Sequence, residues 1–200
     1  MYMDDKYIYI NDKSLCEEVC DEIITEFNKS NYTPGTTSRG IDTNMKLTYD
    51  FVINGRTEWK EIESMLYKEL NHNIKNYIEH VGQVNSKLFT DSTGYNPFNM
   101  NDICVDNLTF QIQKYINNKG LFSPHHDFNI DKTQFRIFTY IWYLNDVNIG
   151  GETVFNPTLK ITPKTGRLVI FPACWTFPHQ GKMPISNDKY IITGWVYKQI

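Results

Sequence analysis

The sequence predicts a mainly β fold with flanking helices (an α+β protein), and three observations lead to this prediction. Apolar residues recur at helical spacing in two stretches of the first half, whereas alternation with a period of two begins near residue 108. Aromatic residues make up 14% of the chain and are frequent in the second half, as suits a β-rich core. Many short strands separated by turn residues are typical of a sandwich or a barrel.

Two helices are predicted to flank the β core. Ser14 is the expected cap of the first helix, which runs to about Lys29. Thr57 is the expected cap of the second helix, with Glu58 and Glu61 near its N-terminus. The apolar stripe that this second helix should bury consists of Ile62, Met65, Leu66, Leu70, Ile74, Tyr77, Ile78 and Val81.

The remaining segments are predicted to be loops and strands of one domain. Residues 30–44 and 87–106 are rich in turn-forming residues and are expected to be loops. Expected strands cover residues 108–113, 135–144, 152–155, 159–162, 167–171 and 190–197. We therefore expect a single domain over residues 1–200, with a mainly helical flank and loops in 1–105 and the β core, which carries the functional site, in 106–200.

Composition restricts the expected partners and compartment. The net charge of -3 gives no sign of a nucleic-acid or anionic membrane surface, so neither partner is expected. The sequence has no run of about 18 apolar residues and no apolar signal core at its start. Its four cysteines lack a CxxC or zinc-binding spacing, which favours reduced thiols and a cytoplasmic location. The oligomeric state stays open.

A candidate metal site begins with two residues that are two positions apart. If His125 and Asp127 lie in a strand, their side chains point to the same face, whereas that of His126 points to the other. His179, on a different strand, is the expected third ligand. Two imidazoles and one carboxylate form the facial triad that leaves open positions on Fe(II) for a cosubstrate and dioxygen.

Other interpretations of these residues need to be considered. A His-x-Asp triplet alone is a weak signal, and His126 competes with His125 for the metal. The same donors would also suit a hydrolytic zinc enzyme, although no HExxH motif supplies a general base. His72 and His80 lie on the second predicted helix and are taken as structural. A jelly-roll protein that binds metal without catalysis is the main alternative.

Short motifs follow and precede these candidate ligands in a fixed order. They are Tyr115, the His125-His126-Asp127 triplet, Arg136 with Thr139, Tyr143-Leu144-Asn145, Gly150-Gly151-Glu152-Thr153, Pro163 with Gly166, His179 with Gly181, and Lys189. In order and spacing, the segment from Gln111 to Tyr197 resembles the 2-oxoglutarate/Fe(II) oxygenases of the prolyl 4-hydroxylase-like branch. Residues before about 105 carry no recognisable motif of that family.

The resemblance implies a fold, a cofactor and a reaction. The expected fold is a double-stranded β-helix, a cupin-like jelly-roll with helices packed outside. The expected activity is that of a dioxygenase that uses Fe(II) and 2-oxoglutarate, hydroxylates an unactivated C–H bond, and releases succinate and CO2, with ascorbate as a supporting reductant. Asp127 argues against halogenation, because family halogenases replace this carboxylate by a small residue.

The resemblance also implies roles for four further residues. Lys189 is the expected cation for the distal carboxylate of 2-oxoglutarate, and Thr139 is expected to donate a hydrogen bond to the same carboxylate. Tyr115 is the expected hydroxyl contact of the cosubstrate, although it stands one residue further from His125 than the family tyrosine, so an ordinary sheet position is the alternative. Trp195 is the expected cavity wall, or else an ordinary core residue.

The substrate is only broadly restricted. A prolyl peptide is the expectation that the resemblance favours, and other peptides, proteins, amino acids or small molecules remain open. Loops 30–44 and 90–101 are expected to form its walls. Relatives that demethylate nucleic acids use arginines after the last histidine ligand, and this sequence has no arginine after Arg167.

Overall fold

The computed structural model describes residues 5–88, 103–104 and 109–200. Within these ranges, two helices, α1 (Glu17–Lys29) and α2 (Lys60–Leu88), accompany two β-sheets. The strands, numbered in chain order, are β1 (Tyr9–Asn11), β2 (Thr33–Pro34), β3 (Lys46–Leu47), β4 (Tyr49–Val52), β5 (Ile103–Cys104), β6 (Gln111–Tyr115), β7 (Leu121–His125), β8 (Gln134–Tyr143), β9 (Thr153–Val154), β10 (Lys160–Ile161), β11 (Leu168–Pro172), β12 (His179–Gly181) and β13 (Lys189–Gln199).

The two sheets form the double-stranded β-helix that the sequence resemblance implied. The larger sheet has the strand order β1-β11-β8-β13-β6-β4-β2, with β5 also paired to β13. The smaller sheet has the order β10-β9-β12-β7-β3. The ladders of both sheets are antiparallel, and long crossovers in sequence bring distant strands together, as in a jelly-roll.

Apolar residues on the two faces of the larger sheet form separate clusters. One face packs against α1 and α2 through residues such as Ile112, Trp142 and Ile192. The other face contributes Tyr143, Phe171 and other side chains to a cluster that includes Phe155 and Ile161 beside the smaller sheet. The helices therefore cover the outside of the larger sheet, and the space between the sheets is left for a site.

The start of α1 differs from the sequence prediction. The helix begins at Glu17, with Cys16 at the N-cap position and no side-chain cap. Ser14 is engaged elsewhere, because its hydroxyl donates to Glu69 Oε1 at 2.8 Å and accepts from Trp142 Nε1 at 2.9 Å. Tertiary contacts between the helices and the sheet thus use the hydroxyl that was expected to cap the helix.

The start of α2 also differs, whereas its buried stripe is confirmed. A short 3-10 turn, Thr57–Trp59, precedes the helix and places Trp59 in the core, so Thr57 caps no α-helix. Seven of the eight predicted stripe residues are buried, and Met65 packs partly buried against them. Neither helix combines enough length with enough apolar residues to cross a bilayer, as judged over the described residues.

The first half of the chain contributes more to the sheets than predicted. Strands β1 to β4 lie within the segment that was expected to be helical flank and loops, and β1 forms an edge of the larger sheet by pairing with β11. These strands are two to four residues long and pair with distant segments, so local periodicity gives little sign of them. Segment 30–44 is mostly exposed and contains β2. The predicted loop at 90–101 lies outside the described residues.

Candidate metal centre

The predicted ligands meet where two neighbouring strands of the smaller sheet lie side by side. His125 ends β7, His179 begins β12, and the two are direct partners in the ladder. Asp127 lies two residues beyond the end of β7. The prediction that its side chain points to the same side as His125 assumed that both residues lie in one strand, and Asp127 does not lie in that strand. The segment after β7 nevertheless places the Asp127 carboxylate beside both histidines. His126 is exposed.

The distances between the three side chains suit a common ion. His125 Nε2 lies 3.7 Å from Asp127 Oδ1, and His179 Nε2 lies 3.5 Å from Asp127 Oδ2. One candidate ligand atom from each residue lies within 4.8 Å of the others. His126 is not part of this group.

Hydrogen bonds fix which nitrogen of each imidazole faces the site. The Nδ1 atom of His125 is 2.8 Å from the carbonyl oxygen of Ser123, and that of His179 is 3.1 Å from the carbonyl oxygen of Phe177. Because a carbonyl oxygen can only accept, each Nδ1 carries the proton and each Nε2 keeps its lone pair. Both lone pairs are thus available on the side of Asp127, as in metal sites with an outer shell of hydrogen-bond acceptors.

The electrostatics favour the ligand forms of these groups. Burial opposes ionisation of Asp127, but His179, His125 and the hydroxyl of Thr139 outweigh it and hold the pKa of the carboxyl below its ordinary value. Burial, reinforced by His179, lowers the pKa of His125. A carboxylate beside a neutral imidazole, with lone pairs aimed inward, is a donor set that fits Fe(II) in a facial triad.

Thr139 contacts one of the candidate ligands directly. Its hydroxyl donates to Asp127 Oδ2 at 2.7 Å, and its expected contact with the cosubstrate stays a prediction. The carboxylate is a charged acceptor, and hydrogen bonds to charged acceptors are the stronger ones. Thr139 therefore orients the carboxylate, which is the role of an outer-shell residue in a metal site.

Replacing Thr139 by valine should weaken metal binding without removing a ligand. Valine is close to threonine in shape but cannot donate to Asp127, and loss of such outer-shell partners costs roughly 10–100-fold in metal affinity. We expect a drop of that size when Fe(II) or Co(II) is titrated anaerobically into the variant. Thr158→Val, an exposed threonine beside β10, is the matched control. An affinity equal to that of the control would show that Thr139 does not support the carboxylate.

A cavity of about 830 Å³ contains the three candidate ligands. Tyr115, Lys189 and Trp195 also line it, so the structure brings these predicted residues to the same space. Thr139 lies behind Asp127 and is buried. The cavity lies between the two sheets, with part of segment 36–46 on its wall.

Lys189 is a buried amine rather than a solvated turn residue. Its side chain is 1% exposed, and its Nζ donates to the carbonyl oxygen of Gly151 at 3.0 Å and lies 4.0 Å from the ring centroid of Tyr115. Burial lowers the pKa of Lys189 to about 7, although the charge of Glu152 acts in the opposite direction. No ion pair among the described residues includes Lys189. Such an amine in a cavity wall fits an anionic ligand.

Tyr115 and Trp195 are both directed at the cavity. Tyr115 lies opposite Lys189 in the ladder between β6 and β13, and its hydroxyl donates to Gln113 Oε1 at 3.2 Å. Trp195 is half-buried, and its Nε1 has no hydrogen-bond partner within the described part of the chain. The guanidinium of Arg136 lies 3.5 Å from the centroid of the Trp195 ring, and its Nε is likewise buried without a described partner.

Four further charged side chains line the cavity without a role assigned from the sequence: Arg39, Asp42, Lys46 and Arg136. The sequence indicates Arg136 only as the first residue of an Arg-x-x-Thr motif, and this motif is the one sign that Arg136 belongs to the site. Lys46 and Asp50 form a buried ion pair on β3 and β4, and Lys46 lines the cavity. Lys46 Nζ lies 5.3 Å from the centroid of the Phe122 ring, which in turn stacks on His125 at 3.6 Å. Nothing in the local sequence indicates this pair, because β3 and β4 were themselves not predicted.

Comparisons with known proteins agree with this geometry. Residues 110–197 match the 2OG-Fe(II) oxygenase superfamily. A comparison with curated protein sequences found no significant match.

Solved structures with the same fold include three prolyl hydroxylases. A viral collagen prolyl hydroxylase from Paramecium Bursaria Chlorella virus-1 in complex with 2-oxoglutarate is 19% identical, with 99% of each chain covered and a TM-score of 0.65. A Trichoplax adhaerens prolyl hydroxylase bound to a hypoxia inducible factor peptide is 19% identical, with 98% of this chain and 86% of that chain covered and a TM-score of 0.66. A Pseudomonas putida prolyl-4-hydroxylase is 15% identical, with 96% and 95% covered and a TM-score of 0.62. Residues 110–197 are therefore similar to the 2OG-Fe(II) oxygenase superfamily, and the chain has the fold of these prolyl hydroxylases.

Proposed function

We propose that the protein hydroxylates a peptide, with a prolyl residue as the favoured target. In this proposal His125, Asp127 and His179 bind Fe(II), and 2-oxoglutarate and substrate occupy the adjacent cavity. The main observation in support is that the three candidate ligands line the same cavity as the buried amine of Lys189. The structural neighbours are prolyl hydroxylases, and one of them is bound to a peptide, which supports a peptide substrate.

Bound Fe(II) would couple decarboxylation of 2-oxoglutarate by dioxygen to insertion of one oxygen atom into a substrate C–H bond, giving succinate, CO2 and the alcohol. The residues of the chain would supply geometry and exclusion of water. Thr139 holds the Asp127 carboxylate, and the ring of Phe122 stacks on the imidazole of His125 at an interplanar angle of 14°. Lys189 would orient the cosubstrate through its distal carboxylate.

Succinate release tests the proposal directly. Purified protein is supplied with Fe(II), ascorbate and 2-oxoglutarate, and succinate is measured with and without a panel of prolyl and non-prolyl peptides. The proposal expects succinate release that requires Fe(II) and is stimulated by a peptide. A metal-binding jelly-roll without catalysis would bind Fe(II) yet release no succinate, and that result would favour the alternative.

Affinity for 2-oxoglutarate should fall as the pH rises above the pKa of Lys189, which is about 7. Below that value the free enzyme already carries the ammonium that the carboxylate needs. Above it, binding must take up a proton, which weakens affinity by roughly tenfold per pH unit. Glu152 favours the ammonium, and burial raises the pKa of the facing Tyr115, so the tyrosine stays neutral across this range.

The pH effect can be separated from other titrations in the site by a variant. Calorimetric titration of 2-oxoglutarate into the metal-loaded protein gives the affinity at each pH. Lys189→Met removes the titrating amine and should remove the slope above neutral pH. A slope that persists in Lys189→Met would assign the pH dependence to another group.

A further inference from the structure

An exposed aromatic pair lies at the mouth of the cavity. Phe128 is 37% exposed and Trp175 is 64% exposed, and their ring centroids are 5.0 Å apart with an interplanar angle of 78°. Phe128 also lines the cavity and directly follows Asp127 in the chain. Trp175 precedes His179 by four residues. The pair is thus continuous with the cavity and attached to two of the candidate metal ligands through short backbone segments.

The chain holds Trp175 outward in a defined turn. The backbone N–H of Phe177 donates to the carbonyl oxygen of Cys174 at 3.0 Å, and the Cys174 Sγ and Thr176 Oγ1 atoms are 2.9 Å apart. The chain has four tryptophans, of which Trp59 and Trp142 are buried and Trp195 is half-buried inside the cavity. A large indole presented to solvent in an ordered turn beside a cavity is suited to contact a ligand that enters there.

The charged side chains of the cavity wall restrict which ligand side chains can bind near the aromatic pair. The charged side chains on the cavity wall are Arg39, Lys46, Arg136, Lys189, Asp42 and Asp127. Lys46 is paired with Asp50, and Lys189 and Asp127 are assigned to the cosubstrate and the metal. The remaining side chains are two arginines and one carboxylate, an excess of positive charge in the cavity that disfavours a basic side chain on a ligand that enters it.

We propose that the Phe128–Trp175 pair binds the segment of an extended peptide substrate that flanks the hydroxylated residue, with a proline or another apolar side chain on the rings and no basic side chain there. The inference rests on the proposed function, since it assumes a peptide substrate. Proline-rich extended segments bind aromatic surfaces because their backbone is already ordered and their rings pack flat. The indole would be the anchor of this contact, and Phe128 would join it to the cavity.

Kinetics of truncation variants test the contact. Trp175→Ala and Phe128→Ala should each raise KM for a prolyl peptide by about tenfold, as expected for aromatic anchors, with little change in kcat. Ile10→Ala is the matched control, because Ile10 is an apolar side chain, 45% exposed, on edge strand β1. Peptides with Pro, Leu, Glu or Lys beside the target should show Lys as the poorest in the wild type. Trp175→Ala should lose the preference for Pro and Leu over Glu, whereas the penalty on Lys, which comes from the arginines, should remain.

Direct binding is measured independently of turnover by fluorescence. The emission of Trp175 should shift or be quenched by the peptides, and Trp175→Phe serves as the blank for the other tryptophans. An unchanged KM in Trp175→Ala, in an enzyme that turns over peptides, would overturn the inference and leave the proposed function intact. An equal loss of 2-oxoglutarate affinity would also overturn it, because the pair would then support the cavity itself. If no peptide stimulates succinate release or alters Trp175 emission, both the inference and the peptide part of the proposed function are wrong.

Discussion

Asp127→Ala is expected to abolish hydroxylation and to lower Fe(II) affinity by more than about 100-fold, since changes in outer-shell partners alone cost roughly 10–100-fold. The variant leaves two neutral imidazoles and no carboxylate, so the ion loses a ligand and part of its charge compensation. The apolar clusters on both faces of the larger sheet do not involve Asp127, so the fold should persist. The buried hydroxyl of Thr139 loses its acceptor, which should cost about 1–3 kcal/mol of unfolding free energy.

Three measurements separate these effects. Anaerobic metal titration gives the affinity, succinate release gives turnover, and a thermal melt followed by circular dichroism gives stability. Asp21→Ala, which removes an exposed carboxylate from α1, is the control and should match the wild type in all three. Full activity in purified Asp127→Ala would refute the assignment of the triad.

Lys189→Ala is expected to weaken 2-oxoglutarate binding by roughly 10–100-fold, because a hydrogen bond to a charged group contributes about 1.5–3 kcal/mol. The variant would leave the distal carboxylate in a buried wall without a cation. Fe(II) affinity should stay near that of the wild type, because Lys189 is not a candidate ligand. Lys189→Arg keeps a charge but brings a larger planar group into the space between Gly151 and Tyr115, so it should not restore full affinity.

Calorimetry on the metal-loaded variant measures this loss. The titration is made at a pH below the Lys189 pKa of about 7, where the wild-type amine is charged. Lys182→Ala removes an exposed lysine from the same part of the chain and is the matched control. A dissociation constant equal to that of the control would mean that Lys189 does not hold the cosubstrate.

The parts of the site that were predictable are those with a local pattern or a fixed order. The triad could be proposed because His125 and Asp127 are two residues apart and His179 begins a recognisable motif. Lys189 could be proposed from its position after that motif, and the structure buries it in the same cavity. The longest strands, β8 and β13, were predicted because ten or more residues of aromatic and β-branched sequence give a clear signal.

The parts that were missed depend on distant contacts. Ser14 was assigned to a helix cap from its neighbours in sequence, but Glu69 and Trp142 take its hydroxyl. The hydrogen bond from Thr139 to Asp127 was likewise not predicted, whereas the contact of Thr139 with the cosubstrate stays a prediction. A hydroxyl can donate to any acceptor within hydrogen-bonding distance, and only the fold determines which distant acceptors lie that close. The Lys46–Asp50 pair was hidden for the same reason.

The placement of β1 and β4 sets a lower limit on what can be expressed as an independent unit. The segment that matches the oxygenase family covers only residues 110–197, yet β1 forms an outer edge beyond β11, and β4 pairs with β6. A fragment that begins near residue 105 would expose three strand edges, those of β11, β6 and β7, together with the apolar face that α1 and α2 cover. Such a fragment would be prone to aggregate. Truncation studies and domain swaps should therefore keep the N-terminal hundred residues, although no motif of the family marks them.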